Sequence, residues 1–113
     1  MKSEKFTNLK LSTDLELVQE LKKSNPNAFT FLYGRSKYRS FNFAYTKLND
    51  KEVTRNLIHN VFTSLWDNHS NINIQGIFPK YIYIMVHSKI IHYFRRTLVA
   101  ERYQKNLGLL LQK

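Results

Sequence analysis

The segment 77–94 constrains this chain more than any other stretch. Twelve of its eighteen residues are apolar or aromatic: Ile77, Phe78, Tyr81, Ile82, Tyr83, Ile84, Met85, Val86, Ile90, Ile91, Tyr93 and Phe94. Drawn as a helix, they go nearly all the way round. Such a helix must be buried on several sides or must have a partner. Residues 81–86 (YIYIMV) have the propensity of a β-strand. The segment nevertheless runs too long without a turn signal, and it ends in RRTLVAERYQKN, which is helical in composition. The expectation is a long helix that begins near 77–79 and runs past Arg96.

Three further helices precede it. Thr13 and Glu16 have capping-box spacing just ahead of Leu17, Val18 and Leu21, which recur at helical intervals. This predicts a short helix over about 14–23, ended by the turn Ser24-Asn25. Asn25 can cap a second helix, with Pro26 at its first position, where the missing N–H costs nothing. That helix is expected to reach Leu48, with Phe29, Leu32, Tyr33, Phe43, Ala44 and Leu48 on one broad face. Gly34 and Ser36 weaken it and permit a bend. Asn49-Asp50 is a turn and a cap. The third helix, over about 51–68, has the clearest period, through Leu57, Ile58, Val61, Phe62 and Leu65. Residues 69–76 (HSNINIQG) read as an amide-rich loop ended by Gly. The fold expected is all-α: a compact four-helix domain over 13–106 with short connections. Residues 1–12, polar and without period, are expected to be loose. Residues 107–113, Leu-rich, are expected to be an apolar tail.

Composition removes several function classes. The chain has 113 residues, enough for one domain with a modest core. Cysteine is absent, which excludes disulfide scaffolds, Cys-ligated zinc and thiol catalysis. No apolar run approaches the ~20 residues of a membrane span, and the N-terminus has no signal-peptide core. A cytoplasmic protein with no membrane association is expected. Neither a Gly-rich phosphate loop nor a nucleophile–His–acid set is visible. The histidines are His59, His69, His87 and His92. His87 and His92, five apart, are separated by about 140° on a helix and share no face. Asp14, Glu16 and Glu20 compensate the dipole of the first helix. The expectation is a protein that is not an enzyme and has neither metal nor cofactor.

The charge has a direction. Eighteen Lys and Arg oppose eight Asp and Glu, for a net +10. Residues 1–24 carry +1, 25–50 carry +3, 51–76 carry 0 and 77–113 carry +6. One acid among seven bases is no ordinary mixed surface. In the same segment bases alternate with aromatics: Lys80, Tyr81, Tyr83, Lys89, Tyr93, Phe94, Arg95 and Arg96. Aromatic faces stack on unpaired bases while Lys and Arg hold phosphates. Each aromatic taken singly is a core residue by preference, but residues that surround a helix cannot all be core. The amides of Asn71, Asn73 and Gln75 have the donor–acceptor pair needed to read base edges, although a plain polar turn has the same composition.

In order along the chain, DLELVQELKKSNPNAFTFLY (14–33), NLIHNVFTSLWDN (56–68) and IFPKYIYIMVHSKIIHYFRR (77–96) resemble the second conserved region of bacterial RNA polymerase sigma factors of the extracytoplasmic-function class. The resemblance covers about 14–103. It implies docking on the clamp helices of the large subunit of core RNA polymerase, through Asn56, His59, Asn60 and Thr63. It also implies capture of the melted, single-stranded minus-ten element of promoter DNA. The loop before the fourth helix would hold an extruded base, so that Asn71, Asn73, Gln75, Lys80, Tyr81, Ser88, Lys89, His92, Arg95 and Arg96 would be the DNA-binding residues. A pocket for the extruded base offsets a few kcal/mol of unstacking. An anti-sigma factor is a further implied partner. Arg55, Asn56, His59 and Asn60 stand where relatives have an acidic stretch bearing Gln-Glu. Ser88 stands for their Asn and His92 for their Asp. The polymerase contact is therefore expected to differ from theirs. The family's C-terminal helix-turn-helix domain does not follow, so a fragment or a short relative is expected, with 107–113 as a severed linker. The other reading is a sigma-like interaction module that binds an anti-sigma factor or itself, without DNA. A third is a basic helical binder of duplex DNA.

Overall fold

The computed structural model describes residues 9–74 and 77–111. Among the described residues, a helical turn at 9–11, within the stretch expected to be loose, precedes α1 (Asp14–Lys22), α2 (Pro26–Leu48), α3 (Lys51–Asp67) and α4 (Phe78–Leu111), with a 3-10 turn at His69–Asn71. No strand occurs among the described residues. The fold is all-α.

The helix starts follow from local hydrogen bonding. The Thr13 hydroxyl accepts from the Glu16 N–H at 3.2 Å, and the Glu16 carboxylate accepts from the Thr13 N–H at 3.4 Å, completing the capping box. Asn25 Oδ1 accepts from the Asn27 N–H at 3.0 Å, and Asp50 Oδ1 accepts from the Val53 N–H at 3.0 Å. Asn49 ends α2 in the left-handed region (φ 54°), its N–H donating to the Tyr45 carbonyl at 2.8 Å.

α2 is the centre of the packing, in contact with α1, α3 and α4. Its buried stripe is Ala28, Leu32, Ser36, Ser40 and Ala44, spaced by four. Leu32 and Ala44 of the expected face are buried, and Phe29, Phe43 and Leu48 are half-buried against the core, while Tyr33 is 38% exposed and the small residues Ala28, Ser36 and Ser40 complete the buried stripe. Small side chains let three helices approach α2 closely, so the bulky aromatics flank the contact rather than fill it. Gly34 does not interrupt the helix, and a Cβ built there meets nothing within 4 Å. On α3, the expected Leu57, Ile58, Val61, Phe62 and Leu65 are buried, together with Thr54, whose hydroxyl donates to the Asp50 carbonyl at 2.7 Å.

The N-terminal stretch is anchored where it meets α1. Leu9 is buried, and Arg35 on α2 donates to the Lys10 carbonyl at 3.0 Å and to Asp14 Oδ1 at 2.9 Å. Residues 1–8 of the stretch expected to be loose lie outside the described residues.

α4 buries a single stripe: Phe78, Ile82, Val86 and Ile90, again spaced by four. The remaining apolar residues that surround it include Ile77, Tyr83, Ile84, Ile91 and Phe94, all exposed. The helix does not stop after Arg96. It continues through 107–111, expected as a tail, and at 34 residues it is about 51 Å long. Beyond Ile90 none of its residues is buried. Residues 112–113 lie outside the described ones.

Leu32→Ala should lower stability by about 2–5 kcal/mol, as expected for a fully buried Leu. Gly34→Ala should raise it by roughly 0.5–1 kcal/mol, because the site is helical and open. Chemical denaturation followed by circular dichroism measures both.

Candidate nucleic-acid interface

The loop before α4 is held by its hydrophobic residues. Ile72 is buried and Ile74 is half-buried against the core, while Asn71 and Asn73, on either side of Ile72, are exposed. Alternation in an extended segment accounts for this: the apolar residue turns inward and both amides turn to solvent. Gln75 lies outside the described residues.

The loop's start is fixed as firmly. His69 stacks on Trp66 with ring centroids 4.4 Å apart. His69 Nδ1 meets the Trp66 carbonyl, and Nε2 is 2.7 Å from the Ser24 hydroxyl. A carbonyl only accepts, so Nδ1 carries the proton. In the neutral ring Nε2 then accepts from Ser24. The turn after α1, where Ser24 has φ 67°, is thus tied to the turn after α3.

The DNA-binding residues expected on α4 are all exposed except Tyr81. Tyr81 is half-buried and packs against the core, which makes it a supporting residue more than a platform. Lys89, His92 and Arg96, at i, i+3 and i+7, share one side of the helix. Ser88 and Arg95 lie on the adjacent side. Lys80 is about 18 Å along the helix from His92. The set is therefore a line along α4 rather than a single cluster.

α3 divides the four residues expected to meet polymerase. Asn56 and Asn60 line a groove of about 510 Å³ between α3 and α4, together with Val53, Leu57, Lys89, His92, Tyr93 and Arg96. His59 and Thr63 line a different groove, of about 290 Å³, between α2 and α3, walled by Phe29, Tyr33, Phe62 and Trp66. The aromatics there interlock edge to face: Tyr33 with Phe62 at 4.9 Å and Phe29 with Trp66 at 5.5 Å.

One residue was missed by reasoning from the sequence: Arg39, which shares a pocket of about 300 Å³ with Arg35, Pro79 and Ile82 and so lies beside the start of α4. Its signal was the close spacing of Arg35, Lys37 and Arg39 within the segment that carries +3. Two of the aromatics that alternate with bases on α4 are exposed. Tyr83 is 51% exposed and braced against Phe43 at 4.8 Å, and Phe94 is 46% exposed and meets Tyr93 edge to face at 5.6 Å.

No three His, Asp or Glu side chains converge among the described residues. No helix among them is long and apolar enough to cross a membrane. Compared with known proteins, the chain matches no family model, no curated protein and no solved structure.

His69→Ala removes the stack and both polar contacts that hold the loop start. It should cost about 1–2 kcal/mol and shift the emission of Trp66, the only tryptophan in the chain. Fluorescence-detected unfolding reads both effects at once.

Proposed function

We propose that the chain is a non-catalytic promoter-recognition domain of an alternative sigma factor. It acts in the cytoplasm, docks on the clamp helices of core RNA polymerase and captures the melted minus-ten element for transcription initiation. The observation that carries this reading is the loop ahead of α4. Buried Ile72 leaves Asn71 and Asn73 exposed, a few residues ahead of a helix that carries bases and exposed aromatics. Amides supply base-edge recognition, aromatics supply stacking and Lys/Arg supply phosphate contacts. Those three functions are what a single-stranded, sequence-selective ligand requires. The order of the three sequence segments that resemble sigma region 2 supports the same reading.

A second reading has its own observation. Val99, Tyr103, Leu107 and Leu110 are all exposed and recur at helical spacing along the last three turns of α4. They suit a protein-interaction module that binds an anti-sigma factor or a second copy without DNA. Self-association in sedimentation velocity, with no oligonucleotide binding at low salt, would favour it over the first.

Arg95→Ala combined with Arg96→Ala should weaken single-stranded DNA binding for all sequences. It should flatten the slope of log K against log salt by about 1.4, at roughly 0.7 per lost phosphate contact. Asn71→Ala and Asn73→Ala should instead relax sequence preference, each lost base contact being worth about 1–3 kcal/mol of discrimination. Fluorescence anisotropy across a salt series separates the two, and identical behaviour of both sets would overturn this division of roles. For the polymerase contact, a pull-down against core enzyme should strengthen when Asn56→Asp and His59→Gln are introduced. Capture of neither version would remove the polymerase half of the proposal.

A further inference from the structure

We infer that the groove between α3 and α4 seats one nucleotide unit, with its phosphate against Lys89 and Arg96 and its base edge against Asn56 and Asn60. The inference deepens the single-strand reading above and rests on it for the source of the nucleotide, a strand rather than a free mononucleotide.

The lining carries the argument. At about 510 Å³, the groove falls in the size range of sites that hold small organic ligands. One wall, from α4, presents Lys89, His92 and Arg96. The other, from α3, presents two side-chain amides one helical turn apart, Asn56 and Asn60. The floor is apolar and includes Leu57 and Tyr93. Among the described residues no carboxylate lines the groove; Glu52, one turn before Asn56 on α3, is not among its lining residues.

Each part has one chemistry. A lysine and a guanidinium on the same helix face attract a phosphodiester, and the guanidinium binds its oxygens in a planar fork. Amides offer a donor and an acceptor in one plane, which matches the edge of a base. The apolar floor suits the flat body of the base. An acidic peptide would use the cations and leave both amides without a defined role. A purely apolar ligand would leave the cations unpaired.

α3 thus contributes to nucleic-acid binding through the positions that the resemblance assigns to polymerase. Asparagine is what permits this. A carboxylate at position 56 or 60 would face the cationic wall across the groove, neutralise it and repel phosphate.

The test uses the full chain, a fluorescein-labelled single-stranded DNA 12-mer and free dAMP. Asn56→Asp with Asn60→Glu should weaken oligonucleotide binding by about tenfold or more in low salt. Asn27→Asp with Thr30→Glu puts the same charge at the first turn of α2 and should change binding by less than about twofold. All four positions are exposed, and circular dichroism confirms the fold of each variant. Lys89→Gln serves as an independent groove variant with an expected loss of about threefold to fivefold.

If the wild type binds and the groove variants match it, or if the α2 variant loses as much as the groove variant, the groove inference is overturned and the single-strand reading stands. If the 12-mer does not bind while micromolar dAMP shifts the NMR signals of the Asn56 and Asn60 amides, the groove stands and the single-strand reading falls. If neither ligand binds, both fall.

Discussion

Close approach along one stripe of α2 sets the geometry of the molecule. Ala28, Leu32, Ser36, Ser40 and Ala44 form a ridge of mostly small side chains. α1, α3 and α4 all pack on this helix, and only small residues let three neighbours come near enough to share it. The two serines line the pocket that Arg35 and Arg39 share, and no buried side-chain N or O atom among the described residues lacks a partner. Both grooves on α3 inherit their width from this contact. A bulkier residue at Ser36 or Ser40 would push α4 or α1 outward and splay the walls that carry the polar side chains.

Much of the fold was legible because its signals were local. Thr13–Glu16, Asn25-Pro26 and Asp50 are caps that act within four residues, and each starts a helix where its chemistry requires. The period of α3 was equally clear, because its apolar face is continuous. α2 was harder. Its aromatics are its most hydrophobic residues, so a face drawn by hydrophobicity runs through Phe29, Tyr33 and Phe43. The buried face is chosen by steric fit with three neighbours, a property of the assembled fold that no single helix displays. The extent of α4 was misjudged for a related reason. Gly108 and the leucine run resemble a break and a tail, yet Gly costs a helix only about 1 kcal/mol relative to Ala.

For the candidate site, residue type was readable and partnership was not. Lys89, His92, Arg95 and Arg96 stood out by charge, and Asn71 and Asn73 by amide density. That Asn56 and Asn60 share a groove with Lys89 and Arg96, while His59 and Thr63 belong to an aromatic cleft on the other side of α3, depends on how two helices cross. Sequence spacing places Asn56, Asn60 and Thr63 together on one helical stripe. The neighbours of that helix divide the stripe between two environments. The +10 charge acquires a location by the same step: the neutral segment 51–76 lends amides to a wall whose opposite side is cationic.

Ile90 is the last buried residue of α4, and Tyr93, half-buried, is the last of its hydrophobic residues to pack against the core. From there to Leu111 its backbone hydrogen bonds are held by the helix alone, with a glycine at 108 and four bases against one acid in 91–111 to weaken it. Amide exchange along α4 should therefore fall into two regimes, slow up to about Ile90 and progressively faster beyond it. Arg95 and Arg96 sit just past that boundary, within two turns of rigid structure. A ligand that engages them would complete a turn of helix as it binds, and protection would spread outward from the core with occupancy. The helix would thus report binding through its own order, at positions the ligand never touches.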